Sequence, residues 1–238
     1  MISFIIPTRN EEKIIEKILK CLSEYKGEKE IIVSDGLSTD ETVSIAKHYA
    51  TVIEGDKNSI QRISIGKNSG AKISNGEYLV FLDADVYIPD VNLFFTQAES
   101  FFKNDKKLAG LTVSIRVFKE DETLADKIVF SVFNFYNLIL NNYLGTGAAV
   151  GEFQMIRRDA FIQSGGYGEH LVASEDYEFF KRISKIGKTH FVNKLRVYHT
   201  GRRAHKIGWR KLLTEWILNG VFVAVRGKSY SKEWKVIR

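Results

Sequence analysis

The chain has 238 residues, 44% hydrophobic and 27% charged, which is enough for one large α/β domain, or at most two, and ordinary for a soluble globular protein. With only two prolines and no Ser/Gly-rich run there is no linker, and the single cysteine, Cys21, excludes an internal disulfide. Cys21 reads as a thiol buried on a helix in a reducing compartment, and the start Met1-Ile-Ser-Phe-Ile-Ile-Pro7 lacks the basic region of a signal peptide.

Ile2 to Ile6 reads as a first strand, followed by Pro7-Thr8-Arg9 and an amphipathic helix from about Glu11 to Lys26. Ile14, Ile15, Ile18, Leu19 and Leu22 recur there at helical spacing. Glu30 to Asp35 is a second strand, broken by Gly36. Ser38-Thr-Asp-Glu41 has capping-box spacing and predicts a helix to about Tyr49. Thr51 to Glu54 is a short third strand, Ser59 to Ser74 a helical stretch, and Tyr78 to Leu82 a buried fourth strand ending in Asp83-Ala84-Asp85. Beyond it, Asn92 to Phe102 reads as helix and Leu108 to Phe118 as strand. Leu124 to Leu144 is apolar but interrupted by asparagines, too polar for a membrane span. Gly145 to Gly151 is a loop and Glu152 to Ile156 a strand. Ser174-Glu175-Asp176 caps a helix to about Ile186, Val192 to Tyr198 is a last strand, and Trp209 to Val225 a final amphipathic helix.

The β-α-β-α-β-α-β alternation of the first half predicts an α/β fold with a mostly parallel sheet and right-handed crossovers. Pro7-Thr8-Arg9, Asp35-Gly36 and Asp83-Ala84-Asp85 each follow a strand, so they converge on one rim of the sheet, where open α/β folds bind ligands. Two carboxylates there suit magnesium or manganese, hard ions that also take substrate phosphates.

Six stretches, in order, carry a family resemblance. They are Phe4 to Glu12, Ile32 to Thr42, Gly66 to Ala71, Phe81 to Asp85, Met155 to Phe161 with Gly165-Gly166-Tyr167, and Ser174-Glu175-Asp176. The chain resembles the large inverting glycosyltransferase family 2 with the GT-A fold, which includes dolichol-phosphate mannose synthases. The resemblance implies a Rossmann-like central sheet with helices on both faces. It also implies transfer of one sugar from a UDP- or GDP-sugar to a sugar, polyprenyl-phosphate or other lipid-linked acceptor.

By the same resemblance, Pro7, Thr8, Arg9, Glu11 and Asp35 bind the donor nucleotide, Gly70 lets backbone approach it, and Asp83, Ala84 and Asp85 hold its diphosphate. Asp83 and Asp85 match the metal-binding pair, with His199 as a third ligand and a purely structural histidine as the alternative. Asp176 matches the base that deprotonates the acceptor. Glu175 beside it, with Arg202 and Arg203, is a candidate for binding acceptor or phosphate. Lys67 reads more readily as a solvent-facing residue. Ser34 stands where many relatives carry a second acid, and the Gln-x-x-Arg-Trp signature of processive synthases is absent, which favours single addition.

The net charge of +6 concentrates in Arg202, Arg203, His205, Lys206, Arg210 and Lys211, beside the expected metal site. That placement suits a phosphorylated ligand or anionic lipid and argues against nucleic acid. The final helix either lies on a membrane surface or packs on the domain. The expected organisation is a nucleotide-binding half over about 1–87, an acceptor half over about 88–205, and a C-terminal amphipathic segment over 206–238. The expected location is cytoplasmic, with peripheral contact at the inner face of the membrane. The competing readings are a non-catalytic nucleotide-sugar-binding module, a haloacid-dehalogenase-type phosphatase, for which Tyr87 stands where Thr or Val is expected, and a dinucleotide site at Gly145-x-Gly147, where Gly151 falls one residue late.

Overall fold

A computed structural model of the chain describes residues 1–233 and 237. The remainder of the expected 206–238 segment, residues 234–236 and 238, lies outside the described residues. Seven strands among the described residues form one sheet in the order β3-β2-β1-β4-β6-β5-β7. They are β1 (Ile2–Thr8), β2 (Lys29–Asp35), β3 (Thr51–Glu54), β4 (Tyr78–Leu82), β5 (Leu108–Val117), β6 (Phe153–Arg157) and β7 (Lys188–His199). The helices are α1 (Ile15–Ser23), α2 (Thr42–Ala46), α3 (Ile63–Ile73), α4 (Val91–Asn104), α5 (Leu124–Leu138), α6 (Arg158–Ser164), α7 (Glu175–Ile186), α8 (Arg202–Ile207) and α9 (Trp209–Arg226). One π-helical turn, Ile139–Tyr143, continues α5.

The central strands bury alternate residues on opposite faces, as a sheet covered on both sides requires. Ile2, Phe4 and Ile6 of β1 join Val80 and Leu82 of β4 on one face, under Ile15, Leu19, Phe94 and Phe95. Ile5, Leu79 and Phe81 enter the other core with Phe179, Phe180 and Ile183 of α7. Every ladder is parallel except those of β6, which runs antiparallel to β4 and β5. That single reversal brings the start of β6 to the rim where the parallel strands end: Phe153 pairs with Leu82, immediately before Asp83. β7 ends on the same rim, with His199 opposite Val117.

Several expected boundaries move. The first helix starts at Ile15 rather than Glu11. Glu11 instead closes a turn, its carbonyl accepting from Ile14 N and Ile15 N, while its own N–H donates to Thr42 Oγ1 at 2.7 Å. The expected capping box at Ser38 does not form; Ser38 binds Asp35, and α2 begins only at Thr42. Ser174 caps α7 by backbone position alone, in the left-handed region at φ 62° with no side-chain cap bond. The short helices α6 and α8 had no periodic signal long enough to predict them.

The glycine at position 70 has a packing role rather than the expected one. It lies inside α3, where a Cβ would sit 2.5 Å from Ile5 Cγ2 and 2.8 Å from Ser34 Oγ, so it sets how closely α3 approaches β1 and β2. Gly70→Ala overpacks that contact and should cost about 1–3 kcal/mol, read as a lower urea midpoint with an unchanged slope.

Candidate active site

The rim gathers residues that are far apart in sequence. Thr8 pairs with Asp35 in register, and both are buried at the ends of β1 and β2. Asp35 accepts from Ser38 N at 2.8 Å and from Ser38 Oγ at 2.5 Å, which fixes its carboxylate in a tight turn. The adjoining Leu37 has φ 63°, a region disfavoured for a branched side chain and found where surrounding structure over-determines the backbone. Pro7 is buried at the end of β1, whereas Arg9 is exposed.

Asp83 and Asp85 follow β4. A bridge between Tyr87 and Tyr198 ties their loop to the end of β7. Asp85 Oδ2 accepts from Thr200 Oγ1 at 2.5 Å and lies 3.6 Å from Arg202 Nε. Arg202 donates through both terminal nitrogens to Glu11, at 2.7 and 2.5 Å, and so spans the cleft from α8 to the first loop. The expected phosphate-binding arginine is therefore committed to carboxylates.

Two residues stand out that sequence reading passed over or misplaced. Lys67, expected to face solvent, is fully buried on α3. Its ammonium pairs with Asp176 and lies 3.5 Å from Glu175 Oε1. Burial opposes that charge, but Asp176, Glu175 and Asp83 together outweigh burial and hold the lysine above its ordinary pKa. Glu152, just before β6, reaches the same pocket, its Oε1 3.9 Å from His199 Nδ1. Only the antiparallel entry of β6 puts it there, and nothing in the sequence marks that reversal.

Burial and mutual repulsion shape the acids. Burial pushes Asp83 up to about 7, with Glu152 adding to the shift, and pushes Glu152 itself up to about 7. Glu175 is pushed up to about 8, first by burial and then by Asp176 beside it. Burial lowers the pKa of His199, so the imidazole is neutral at pH 7. Its Nδ1 accepts from Gly201 N at 3.3 Å, which places the ring proton on Nε2; that nitrogen is buried and has no hydrogen-bond partner. Thr8 Oγ1 is another buried polar atom without a partner.

These residues fit a divalent cation in part. Among the described residues, no three His, Cys, Asp or Glu side chains stand ready as a metal cage. Asp83 and Asp85 offer hard oxygens at an open rim, the arrangement in which substrate phosphates complete the coordination. His199 could join through Nε2 only after exchanging its tautomer.

Sheet order, helices on both faces and an acidic cleft at the strand ends define a GT-A fold. The mannosyltransferase PcManGT of Pyrobaculum calidifontis, solved with GDP-Man and Mn2+, superposes with a TM-score of 0.76 at 18% identity, over 94% of this chain and 64% of that one. TarS of S. aureus, residues 1–349 with UDP-GlcNAc, superposes with a TM-score of 0.64 at 20% identity, over 83% and 57%. The family described as Glycosyl transferase family 2 matches residues 3–165, and the chain belongs to it. It is similar to 4,4'-diaponeurosporenoate glycosyltransferase of Staphylococcus haemolyticus, 26% identical over 233 residues, which cover 89% of this chain and 60% of the relative. Poly(ribitol-phosphate) beta-glucosyltransferase of Bacillus spizizenii is 27% identical over 213 residues, covering 79% and 33%. The chain thus spans 60% or less of these two relatives. The Gly145-x-Gly147 loop follows the π-helical turn and precedes β6, so it opens no helix and lacks the context of a dinucleotide site.

Glu175 makes stability depend on pH. Its folded pKa of about 8 lies above the ordinary 4.5, so between those values the folded chain holds a proton that the unfolded chain has lost. Stability should therefore fall as pH rises through that window. Glu175→Gln should flatten the slope, with a gain of a few degrees in Tm over wild type at pH 8 and little difference at pH 4.5.

Proposed function

We propose that this chain is a metal-dependent glycosyltransferase that moves one sugar from a nucleotide-diphosphate sugar to an acceptor hydroxyl or phosphate, inverting and non-processive. The observation that carries the reading is the closeness of two carboxylates from different halves. A Cβ placed on Gly151 would lie 2.9 Å from Asp176 Oδ2 and 3.6 Å from Asp83 Oδ2. A base and a seat for the donor diphosphate would then lie within one sugar's reach of each other. The nucleotide complexes named for PcManGT and TarS support the same donor class.

In this reading the strand ends of residues 1–87 hold the donor. Pro7, Thr8, Arg9, Glu11 and Asp35 line the nucleotide side, and Asp83, Ala84 and Asp85 face the diphosphate. Residues 88–205 supply the acceptor side. The acceptor hydroxyl gives its proton to Asp176 as its oxygen attacks the anomeric carbon, opposite the departing diphosphate. A manganese or magnesium ion held by Asp83 and Asp85 would supply charge neutralisation at the leaving diphosphate. His199 Nε2 would donate to a phosphate oxygen in its present tautomer and would help hold the ion in the other. Arg202 and Arg203 would take an acceptor phosphate, Arg202 after release from Glu11.

The proposed acceptor is lipid-linked, reached by peripheral membrane contact. Leu124, Ile128, Val132 and Phe135 form an exposed apolar stripe along α5. Ile217, Val221 and Val225 do the same on α9, near the exposed Arg210, Lys211, Arg226 and Lys228. The two helices pack through Trp209 on Phe130 and Trp216 on Phe133, ring centroids 5.3 and 5.1 Å apart. Among the described residues no helix is long and apolar enough to cross a membrane.

A thermal-shift panel of UDP- and GDP-sugars with manganese should give one donor that raises Tm. No shift with any donor would defeat the reading. Asp85→Ala should lose the manganese-dependent part of that shift, and Asp176→Asn should keep it while losing transfer. The double variant Ile128→Glu, Val132→Glu should lose co-sedimentation with anionic vesicles and keep donor binding; wild-type protein left in the supernatant would remove the membrane contact.

A further inference from the structure

We propose that Lys67, Gln154 and Gly151 act as positioning residues that present a single oxygen of Asp176, Oδ2, to the acceptor. This rests on the reading of Asp176 as the base. Its other oxygen, Oδ1, is fully engaged from behind. Lys67 Nζ pairs with Oδ1, and Gln154 Nε2 donates to it at 2.7 Å. The same Nε2 donates to the Val150 carbonyl at 3.0 Å. A carboxylate and a carbonyl only accept, so the amide must turn its nitrogen toward both.

Gln154 Oε1 is thereby left facing Tyr167, whose hydroxyl donates to it at 2.5 Å. The Tyr167 ring also lies 4.9 Å from Lys67 Nζ, so one buried tyrosine braces both partners of Oδ1. Lys67 and Gln154 are completely buried and Tyr167 nearly so, which leaves the carboxylate little freedom to rotate.

Oδ2 takes no part in these bonds and faces Gly151. The backbone of Gly151 is not in the left-handed region, so the glycine serves space rather than conformation. A methyl group there would stand 2.9 Å from Oδ2, a distance that forces the carboxylate to move. The gap between Oδ2 and Asp83 is thus kept open by a missing side chain and aimed by a saturated Oδ1. In the reaction the acceptor O–H bond breaks and its proton goes to Oδ2. The acceptor oxygen bonds the anomeric carbon, and the bond from that carbon to the diphosphate oxygen breaks, its electron pair leaving with the nucleoside diphosphate.

Water can replace the acceptor in a test. With manganese and UDP-glucose or GDP-mannose, whichever binds, release of nucleoside diphosphate is followed against donor concentration. Gln154→Met and Gly151→Ala should each lower kcat about 10–100-fold, with donor KM within about threefold of wild type. Tyr167→Phe should lower kcat less, because it frees the amide without removing it. Thermal unfolding reports whether each variant is folded, and Gly151→Ala decides alone if Gln154→Met is not. Wild-type kcat in both variants beside an inactive Asp176→Asn overturns the positioning inference and spares the base assignment. Turnover by Asp176→Asn, or no release by wild type, overturns the base assignment beneath it.

Discussion

The buried ammonium of Lys67 is the interaction on which the acidic half of the cleft depends. A carboxylate removed from water carries a desolvation penalty of several kcal/mol unless an opposite charge faces it. Asp176 and Glu175 open α7 side by side, and Asp83 and Glu152 approach from β4 and β6. Lys67 reaches into this group from α3 and pairs directly with the α7 acids. Because α3 is held against β1 and β2 by the close approach at Gly70, the position of the charge is set by helix–sheet packing rather than by a loop. Burial, with repulsion among the acids added to it, outweighs the pull of that one cation, so Asp83, Glu152 and Glu175 keep raised pKa values.

Topology then decides which residues meet that charge. Parallel strands deliver their C-terminal ends to one rim, and this alone brings Thr8, Asp35 and Asp83 together. The antiparallel β6 delivers its N-terminal end to the same rim, adding Gly151 and Glu152. β7 adds His199 and Thr200, and the register shift between Val113 and Ser114 of β5 lets the long β7 follow its neighbour to that point. Phe130 of α5 sets its ring edge against His199, centroids 5.0 Å apart, so the helix bearing the exposed apolar stripe also touches the site. Asp126 joins the same parts, accepting from Trp209 Nε1 and lying 2.8 Å from His205 Nε2, which anchors α8 and α9 to the start of α5.

The first half of the fold was legible because each strand is a short apolar run ended by a polar turn, a pattern that local sequence states outright. Asp83 and Asp85 stand at the end of such a run, whereas Glu175 and Asp176 were marked by their place at the start of a helix and by the family resemblance. Lys67 could not. A lysine inside a helix has the same local signature whether it meets water or a buried carboxylate, and its partners lie more than 100 residues away. Glu152 and Gln154 were hidden by strand direction, since alternation fixes which face a residue takes but not which end of the strand reaches the rim. The capping-box spacing at Ser38 misled because the Asn10 N–H takes the Ser38 hydroxyl oxygen and Glu12 Oε2 takes the Glu41 N–H, partners that lie more than 25 residues from them in the chain.

Charge balance bears most directly on how a donor could enter. Glu11, Asp83, Asp85, Glu152, Glu175 and Asp176 gather around the cleft, and Lys67 and Arg202 pair with four of them. Lys67 is committed to α7, and Arg202 to Glu11 and Asp85. A diphosphate would add further negative charge next to Asp83 and Asp85, where burial and neighbouring acids already push one carboxyl up to about 7. Entry of that diphosphate as a bare anion would therefore be opposed by the site itself. A divalent cation arriving with it reverses the sign of the interaction, turning the repulsion among Asp83, Asp85 and the phosphates into shared coordination. The proposed metal requirement rests on this gathering of carboxylates at the strand ends, where Asp83 and Asp85 would meet the donor phosphates.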